Sequence, residues 1–589
     1  MNLFAPALTF RQTQPNPPAT PEKARLTADW LTRHVFSFEV GPQRHLVTSG
    51  MLFEKDGRIG GYQHPNEAGW RIDDDRLFIL REDGTPSCIA ILMEADDGSR
   101  EIVGPFLLEE EIHLHYFRPL ALRGYLPAVQ TFDLFDTLVA RYCVDPLAVF
   151  DAVEAKARAK GFARLRQSLE ADLWRSGDYT LDDVYAKLAE ATGWPDGLIE
   201  RLKMLELAEE WDNLFPIQEM VARVRHDDLI ISDMYLPESF LRKIVEEKCG
   251  LPGLTIHLSN HGKHHGTIWP KILAGHRILR HYGDNHHSDV AQARKAGIDA
   301  EHVTTSAWSM GETVLCSVGL GEFAKAVRKA RLSSFSFDKT ARQAQLAQFD
   351  ANIPLLIIAG LILIRRANAA GADTLLMCGR DSNMWVHLLR WMIGLSPRKM
   401  AVHYLPSSRD LFLADSPAYA AYVSRLRGAR TIIADVSGTG RSPAHFIAGL
   451  EAQADTSVFV VLKSNRIDPP MEARAPARDD VLIDSAITID LERFLFERFN
   501  TAVCEDRAIG MEFLGERFNV LREHQPLDAA TTILVTKMQE AFALTLKLLQ
   551  ESPITTLPDA PSDEDLREAL HTLVQVGIHY LDVAKRLPE

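Results

Sequence analysis

Four short apolar runs between residues 126 and 289 each stop at a polar cluster, and the clusters follow a fixed order. Leu126 to Phe132 ends in Asp133-Leu134-Phe135-Asp136-Thr137-Leu138. Leu229-Ile230-Ile231 ends in Ser232-Asp233-Met234-Tyr235-Leu236-Pro237. Leu254 to Leu258 is followed by Asn260-His261-Gly262-Lys263-His264-His265-Gly266, and Ile278 to Tyr282 by Gly283-Asp284-Asn285-His286-His287-Ser288-Asp289. Apolar runs of strand length, separated by stretches with helical hydrophobic spacing, predict strands alternating with crossover helices, and hence a parallel sheet. In open parallel sheets ligands sit beyond the carboxyl ends of the strands, so these four loops are expected to converge on one crevice.

The residue types suit phosphoryl transfer. A carboxylate such as Asp133 can attack phosphorus and form an aspartyl-phosphate, which divides a hard step into two easier ones. An anion attacking an anionic phosphate needs its charge neutralised, and magnesium held by carboxylates does that. Asp133 and Asp284 are the natural ligands, with Asp289 a further ligand or an orienter. Ser232 is placed to hydrogen-bond a phosphate oxygen, helped by a helix N-terminus just after it. Lys263 adds a positive charge that holds phosphate and nucleophile together. The histidines here (His261, His264, His265, His281, His286 and His287) read as exposed loop residues, because their spacing matches no two-histidine helical ligand pair.

The ordered set resembles the haloacid dehalogenase superfamily, and most of all the bacterial predicted hydrolases with a Phe-Asp-x-Phe-Asp-Thr-Leu first motif and a Ser-Asp-Met-Tyr-Leu-Pro second motif. Arg141 and the Arg166…Glu170 pair extend the likeness, which is close over residues 126 to 304. It implies Asp133, Ser232 and Lys263 as catalytic residues. It also implies a Mg2+ site made by Asp133, the Phe135 backbone carbonyl, Asp284 and Asp289. One position departs from the phosphatases of that superfamily: the second aspartate, which serves as general acid and base, is Phe135 here, and dehalogenase-type members carry an aromatic there. Asp136 is next along the chain, with its side chain expected to point elsewhere. The Gly-Asp…Asp pattern at 283–289 favours a metal, which carbon–halogen cleavage does not need. A haloacid-dehalogenase-like hydrolase without metal and a non-catalytic scaffold are the alternatives.

Further along, Thr431-Ile432-Ile433-Ala434-Asp435-Val436-Ser437-Gly438-Thr439-Gly440-Arg441-Ser442-Pro443 reads as a strand, a Gly-rich loop and a helix start, a geometry whose backbone N–H groups face an anion. Its spacing resembles, weakly, the diphosphate-ribose loop of type I phosphoribosyltransferases, with Ala434 where those enzymes usually carry a first acid. Arg380 and Arg409 each follow a strand (Thr374–Cys378 and Ala401–Leu405). They define, with Asp435, Thr439, Gly440 and Ser442, a candidate second phosphate-binding site. In the opposing reading Arg380 and Arg409 pair with the neighbouring acids, Asp381 and Asp410. On the scaffold alternative this second site, as a nucleotide- or phosphoribosyl-binding module, carries the function.

The expected architecture is a multidomain α/β protein: a flexible arm over 1–36, a small β domain over 37–122 and a hydrolase-like parallel sheet over 123–310 with a helical cap at about 145–215. A second α/β domain follows over 345–520, then a helical region over 525–589. In the β domain Tyr62 and Trp70 read as core residues more than as a sugar-stacking platform. The net charge of −15 argues against a broad nucleic-acid or anionic-membrane surface, so the expected partner is a small phosphorylated metabolite, sugar- or nucleotide-like. Six dispersed cysteines without a CxxC pair predict reduced thiols, and the chain reads as cytoplasmic, with no membrane span. The apolar run Ile353 to Ile364 is too short to span a bilayer by itself and reads as a buried helix. These motifs fix neither the substrate nor the oligomeric state.

Overall fold

The computed structural model describes residues 26–95, 99–109, 113–123, 126–450, 455–466, 473–489, 493–503, 506–559 and 561–587. Pro15 to Pro21, the Asp96-Asp97-Gly98 turn and Cys504 lie outside them. The chain divides into two compact units, Met1–Ser306 and Ala307–Glu589.

In the first unit, alternating apolar residues build eight antiparallel strands: β1 His34–Val40, β2 His45–Phe53, β3 Ile59–Gly60, β4 Gly69–Asp73, β5 Arg76–Leu80, β6 Pro86–Glu94, β7 Arg100–Pro105 and β8 Leu114–Leu122. Their order is β3-β2-β1-β8-β7-β6-β5-β4. The two outer strands nearly close the sheet on itself, because the Trp70 N–H donates to the Gly57 carbonyl (2.7 Å) and the Ile59 N–H to Ala68 (3.1 Å). Closure of this kind removes the exposed edge. The interior is aromatic: Phe38 stacks on Phe117 at 5.0 Å, and Trp70 meets Phe53 edge-on at 5.7 Å. Trp70 is buried and its indole N–H donates to the Glu54 carbonyl, while Tyr62 packs half-buried against Phe38, so both rings serve the core. Order begins before the expected boundary at 36. Helix α1 (Ala28–Thr32), capped by Thr27, buries Leu31, and Leu26 beside it is also buried; these apolar side chains tie residues 26–36 to the barrel.

A five-stranded parallel sheet follows, with β9 Ala128–Phe132, β12 Leu229–Asp233, β13 Thr255–Ser259, β14 Arg277–Gly283 and β15 Ala300–His302 in the order β13-β12-β9-β14-β15. Two short antiparallel strands, β10 Val139–Arg141 and β11 Leu214–Pro216, form the stem from which four helices rise: α2 Leu147–Ala157, α3 Phe162–Ser176, α4 Leu181–Thr192 and α5 Asp196–Asn213. Thr180 starts α4 with a full capping box made with Asp183. Barrel and sheet touch through the helix Ile268–Leu273. The Ser49 hydroxyl donates to the Pro270 carbonyl (2.6 Å), and a Cβ added at Gly50 would stand 3.0 Å from Leu273 Cβ.

The second unit has its own parallel sheet: β16 Thr374–Cys378, β17 Ala401–Leu405, β18 Thr431–Gly438, β19 Thr456–Lys463 and β20 Ile483–Thr488, in the order β17-β16-β18-β19-β20. A hairpin, β21 Asp506–Leu514 with β22 Arg517–His524, follows. The expected buried helix is Ile353–Ala370, and the C-terminal helices Ala529–Glu551 and Asp563–Ile578 share its core. Helices Met310–Ser317, Gly321–Leu332 and Lys339–Ala347 join the same core from a stretch the sequence reading left unassigned. The helical run Lys339–Ala370 is long and apolar enough to cross a membrane by length and composition, but its apolar window is almost wholly buried inside the protein.

Candidate active site and a second cavity

Four of the five strands of the first parallel sheet, β9, β12, β13 and β14, lead into loops that bring polar groups to the carboxyl end. Asp133 follows β9 and its N–H donates to the Tyr282 carbonyl of β14, which fixes the two strand ends side by side. Asp284 follows β14. Strand order reverses between β9 and β14, and crevices at such points are where ligands bind. Lys263 reaches the same place from the turn after β13. Its ammonium donates to Asp133 Oδ1 and, at 2.7 Å, to Asp289 Oδ1. Carboxylate oxygens of Asp133, Asp284 and Asp289 lie within 4.8 Å of one another.

Three neighbours hold these groups. Gly283 has no side chain because one would overlap Asp289, whose Cγ lies 2.3 Å from the position of an added Cβ. Asp289 Oδ2 accepts from the Asn285 N–H at 3.0 Å. His281, on β14, is fully buried; its Nε2 faces Asp289 Oδ1 at 3.3 Å and its Nδ1 the Thr131 hydroxyl at 2.8 Å. A neutral ring protonated on Nε2 donates to the carboxylate and accepts from the threonine. His281 is thus no exposed loop histidine, as expected from its neighbours; its place in an apolar strand two residues before Gly283 is the signal that separates it from them. His261 is also mostly buried, against Trp174, whose carbonyl lies 3.0 Å from its Nε2.

Asp233 was part of a motif but had no assigned role. It accepts from the Lys263 N–H with both oxygens at 3.0 Å, from the His264 N–H at 3.0 Å and from the Ser259 hydroxyl. It therefore sets the turn that aims the Lys263 ammonium. Ser232 is buried and lines the crevice, and the helix that follows begins at Glu238 with Pro237 as its N-cap.

Burial pushes the Asp133 carboxyl well above its ordinary range; Lys263 opposes this, and the charges of Asp289 and Asp284 add to it. Burial and the Asp289 charge push Asp284 up to about 6. Asp289 is also buried, but Lys263 and His281 outweigh this and hold it far below the usual carboxylate range. The Lys263 ammonium keeps its proton because Asp133 and Asp289 outweigh its desolvation. Three acids against one ammonium leave an excess of negative charge among oxygen donors, the chemistry that accepts a hard divalent cation.

Above this cluster lies an open cavity of about 700 Å3, walled on the far side by α2, α3 and α5 of the helical insertion. Phe135 lines it, with the Arg141 guanidinium 4.6 Å from its ring centre. Asp136, expected to point away, also lines the cavity, in a left-handed backbone conformation (φ 55°), and its charge acts on Asp284. The cap wall is a buried ion-pair network. Arg166 donates to Glu206 (2.8 and 2.9 Å) and Glu170 (2.7 Å), and Arg141 donates to Glu210.

The second parallel sheet carries another cavity, of about 640 Å3, at the carboxyl ends of β16, β17 and β18. Arg380, Arg409, Asp435, Thr439, Gly440 and Ser442, the six residues singled out in the sequence, all line it. Asp381, named in the sequence only as a partner for Arg380, is buried there and accepts from the Ser437 hydroxyl at 2.9 Å. The pairing of Arg409 with Asp410 in the opposing reading does not form: Asp410 instead accepts from Arg474 (3.2 Å) and Arg507 (2.8 Å). Burial, with the charges of Asp435 and Glu497, drives the Asp381 carboxyl well up; burial and Glu497 raise Asp435 to about 7. Comparison with family models and with curated proteins finds no match to this chain.

Proposed function

We propose that the first unit is a hydrolase of haloacid dehalogenase type, acting with magnesium on a small phosphorylated metabolite through an aspartyl-phosphate at Asp133. The observation that carries this reading is the shared contact of Lys263 with Asp133 and Asp289, beside Asp284, at a strand-order reversal. Asp133, Asp284 and Asp289 would hold the cation, together with the Phe135 carbonyl that the family resemblance implies. Bound there, magnesium would neutralise charge on the phosphate oxygens.

A carboxylate oxygen of Asp133 forms a bond to phosphorus as the ester oxygen leaves with its electron pair. Lys263 keeps the phosphate and Asp133 together by charge, and the Ser232 hydroxyl meets a phosphate oxygen. Water then attacks phosphorus, releasing inorganic phosphate and regenerating the Asp133 carboxylate. Phe135 supplies no proton to the leaving oxygen, so aryl and other stabilised leaving groups are favoured substrates.

Incubation with an aryl phosphate and magnesium, followed by acid quench and mass spectrometry, should find phosphate on the Asp133 peptide. Turnover should fall by on the order of 10³-fold or more in Asp133→Asn, as on loss of a covalent nucleophile. Unchanged turnover in that variant removes Asp133 from the mechanism.

A further inference from the structure

The cavity of the second unit is a built site whose chemistry can be read from its walls. It lies where strand order reverses: the chain leaves β16 for β17 on one side and returns to β18 on the other. The loops after β16 and β18 flank that point, as loops around ligands do in open parallel sheets. Its volume of about 640 Å3 fits a small-molecule ligand.

The walls hold two kinds of group at different depths. Six arginines and four acids line the cavity, so its lining carries net positive charge when all are ionised. Asp410 engages Arg474 and Arg507, and among the described residues no acid forms an ion pair with Arg409 or Arg493. Unclaimed guanidinium groups facing a crevice are suited to phosphate, which they meet with two parallel N–H groups. Gly438-Thr439-Gly440 leads into the helix Arg441–Ala448 and adds backbone N–H groups to the same wall. Gly440 has φ 73°, and an added Cβ would lie 2.7 Å from Ile483 Cγ2, so the loop is held tightly against β20.

Deeper in, Asp381 and Asp435 offer carboxyl groups that resist ionisation. Such groups both accept from and donate to hydroxyls. Among the described residues, the cavity has no apolar slot for a ring. Phe412 is the single aromatic among its lining residues, and it is already packed against Tyr419 and Phe446.

We infer that this cavity binds a phosphorylated sugar, with the phosphate on Arg409, Arg493 and the 438–440 loop and the sugar hydroxyls on Asp381 and Asp435. This stands apart from the hydrolase reading of the first unit.

The test is hydrogen exchange of the full chain, in EDTA so that the first site lacks its cation. The probes are glucose 1-phosphate, ribose 5-phosphate, inorganic phosphate and adenosine. A sugar phosphate should slow exchange at amides 437–443 and 379–382. In Arg409→Ala, an exposed position that leaves the fold intact, the concentration giving half-protection should rise about 10-fold, the effect of losing one charge-assisted contact. Asp133→Asn should leave this protection as it is. Absence of protection at 437–443 by millimolar sugar phosphate overturns the inference. So does protection that persists unchanged in the Arg409→Ala, Arg493→Ala double variant, or protection by adenosine or inorganic phosphate equal to that by the sugar phosphates.

Discussion

The Lys263 ammonium and the Asp133 carboxylate, 130 residues apart in the chain, form a buried hydrogen-bonded ion pair. Replacing Lys263 with methionine leaves Asp133 and Asp289 buried without their cation. Stability should fall by about 3–5 kcal/mol, the usual cost of removing one partner of a buried pair. In the variant the two carboxyls are pushed above their unfolded values, so the loss is present at pH 8 and shrinks toward pH 5 as the folded protein takes up protons. Denaturant titrations at both pH values, with EDTA present, measure this; equal stability of variant and wild type would show that the pair holds nothing together.

Magnesium binding should depend on Asp284, which needs no part in the Lys263 contacts. Asp284→Asn should weaken magnesium binding in calorimetry by at least the about 10–100-fold that losing a mere outer partner of a metal costs. An unaltered binding isotherm would place the cation elsewhere.

On the proposed mechanism Phe135 should set leaving-group preference. Wild type should hydrolyse aryl phosphates far faster than alkyl phosphates. Phe135→Asp places an acid in that position and should accelerate the alkyl substrates by up to about 10²–10⁴-fold, with little change for the aryl ones. Equal effects on both series would show that proton donation does not limit the reaction.

Asp435 makes stability depend on pH. Its carboxyl rises from 3.8 unfolded to about 7 folded, through burial and the Glu497 charge, opposed by the Val436 N–H and Arg493. The folded protein therefore binds more protons between those values, and stability falls as pH rises through that window. Asp435→Asn removes the burden. The variant should melt several °C above wild type at pH 8, and the gap should close by pH 4, as followed by calorimetry. A gap independent of pH would assign the effect to packing.

The sheet strands that carry the sites were legible because their apolar runs are short and end in polar clusters; β16 and β17 match the expected residues, and the other strands that carry the sites differ only at their ends. Asp233, His281 and Asp381 were not. Each acts through a partner remote in sequence: a turn 30 residues on for Asp233, Thr131 150 residues back for His281, and Ser437 56 residues on for Asp381. Spacing within a motif carries no trace of such contacts. The helices Gly321–Leu332 and Lys339–Ala347 were missed because alanine makes up much of their buried faces (Ala324, Ala326, Ala330, Ala341, Ala344 and Ala347), which gives a weak apolar signal.

If the proposed hydrolysis takes place at Asp133, the contact of Ser49 and Gly50 with the helix Ile268–Leu273 would give the barrel a mechanical part in it. That helix starts immediately after the turn that presents Lys263. The barrel is a pedestal under the ammonium. Cutting it away would loosen the one charge that two acids share, so turnover should hinge on strands that never approach the substrate.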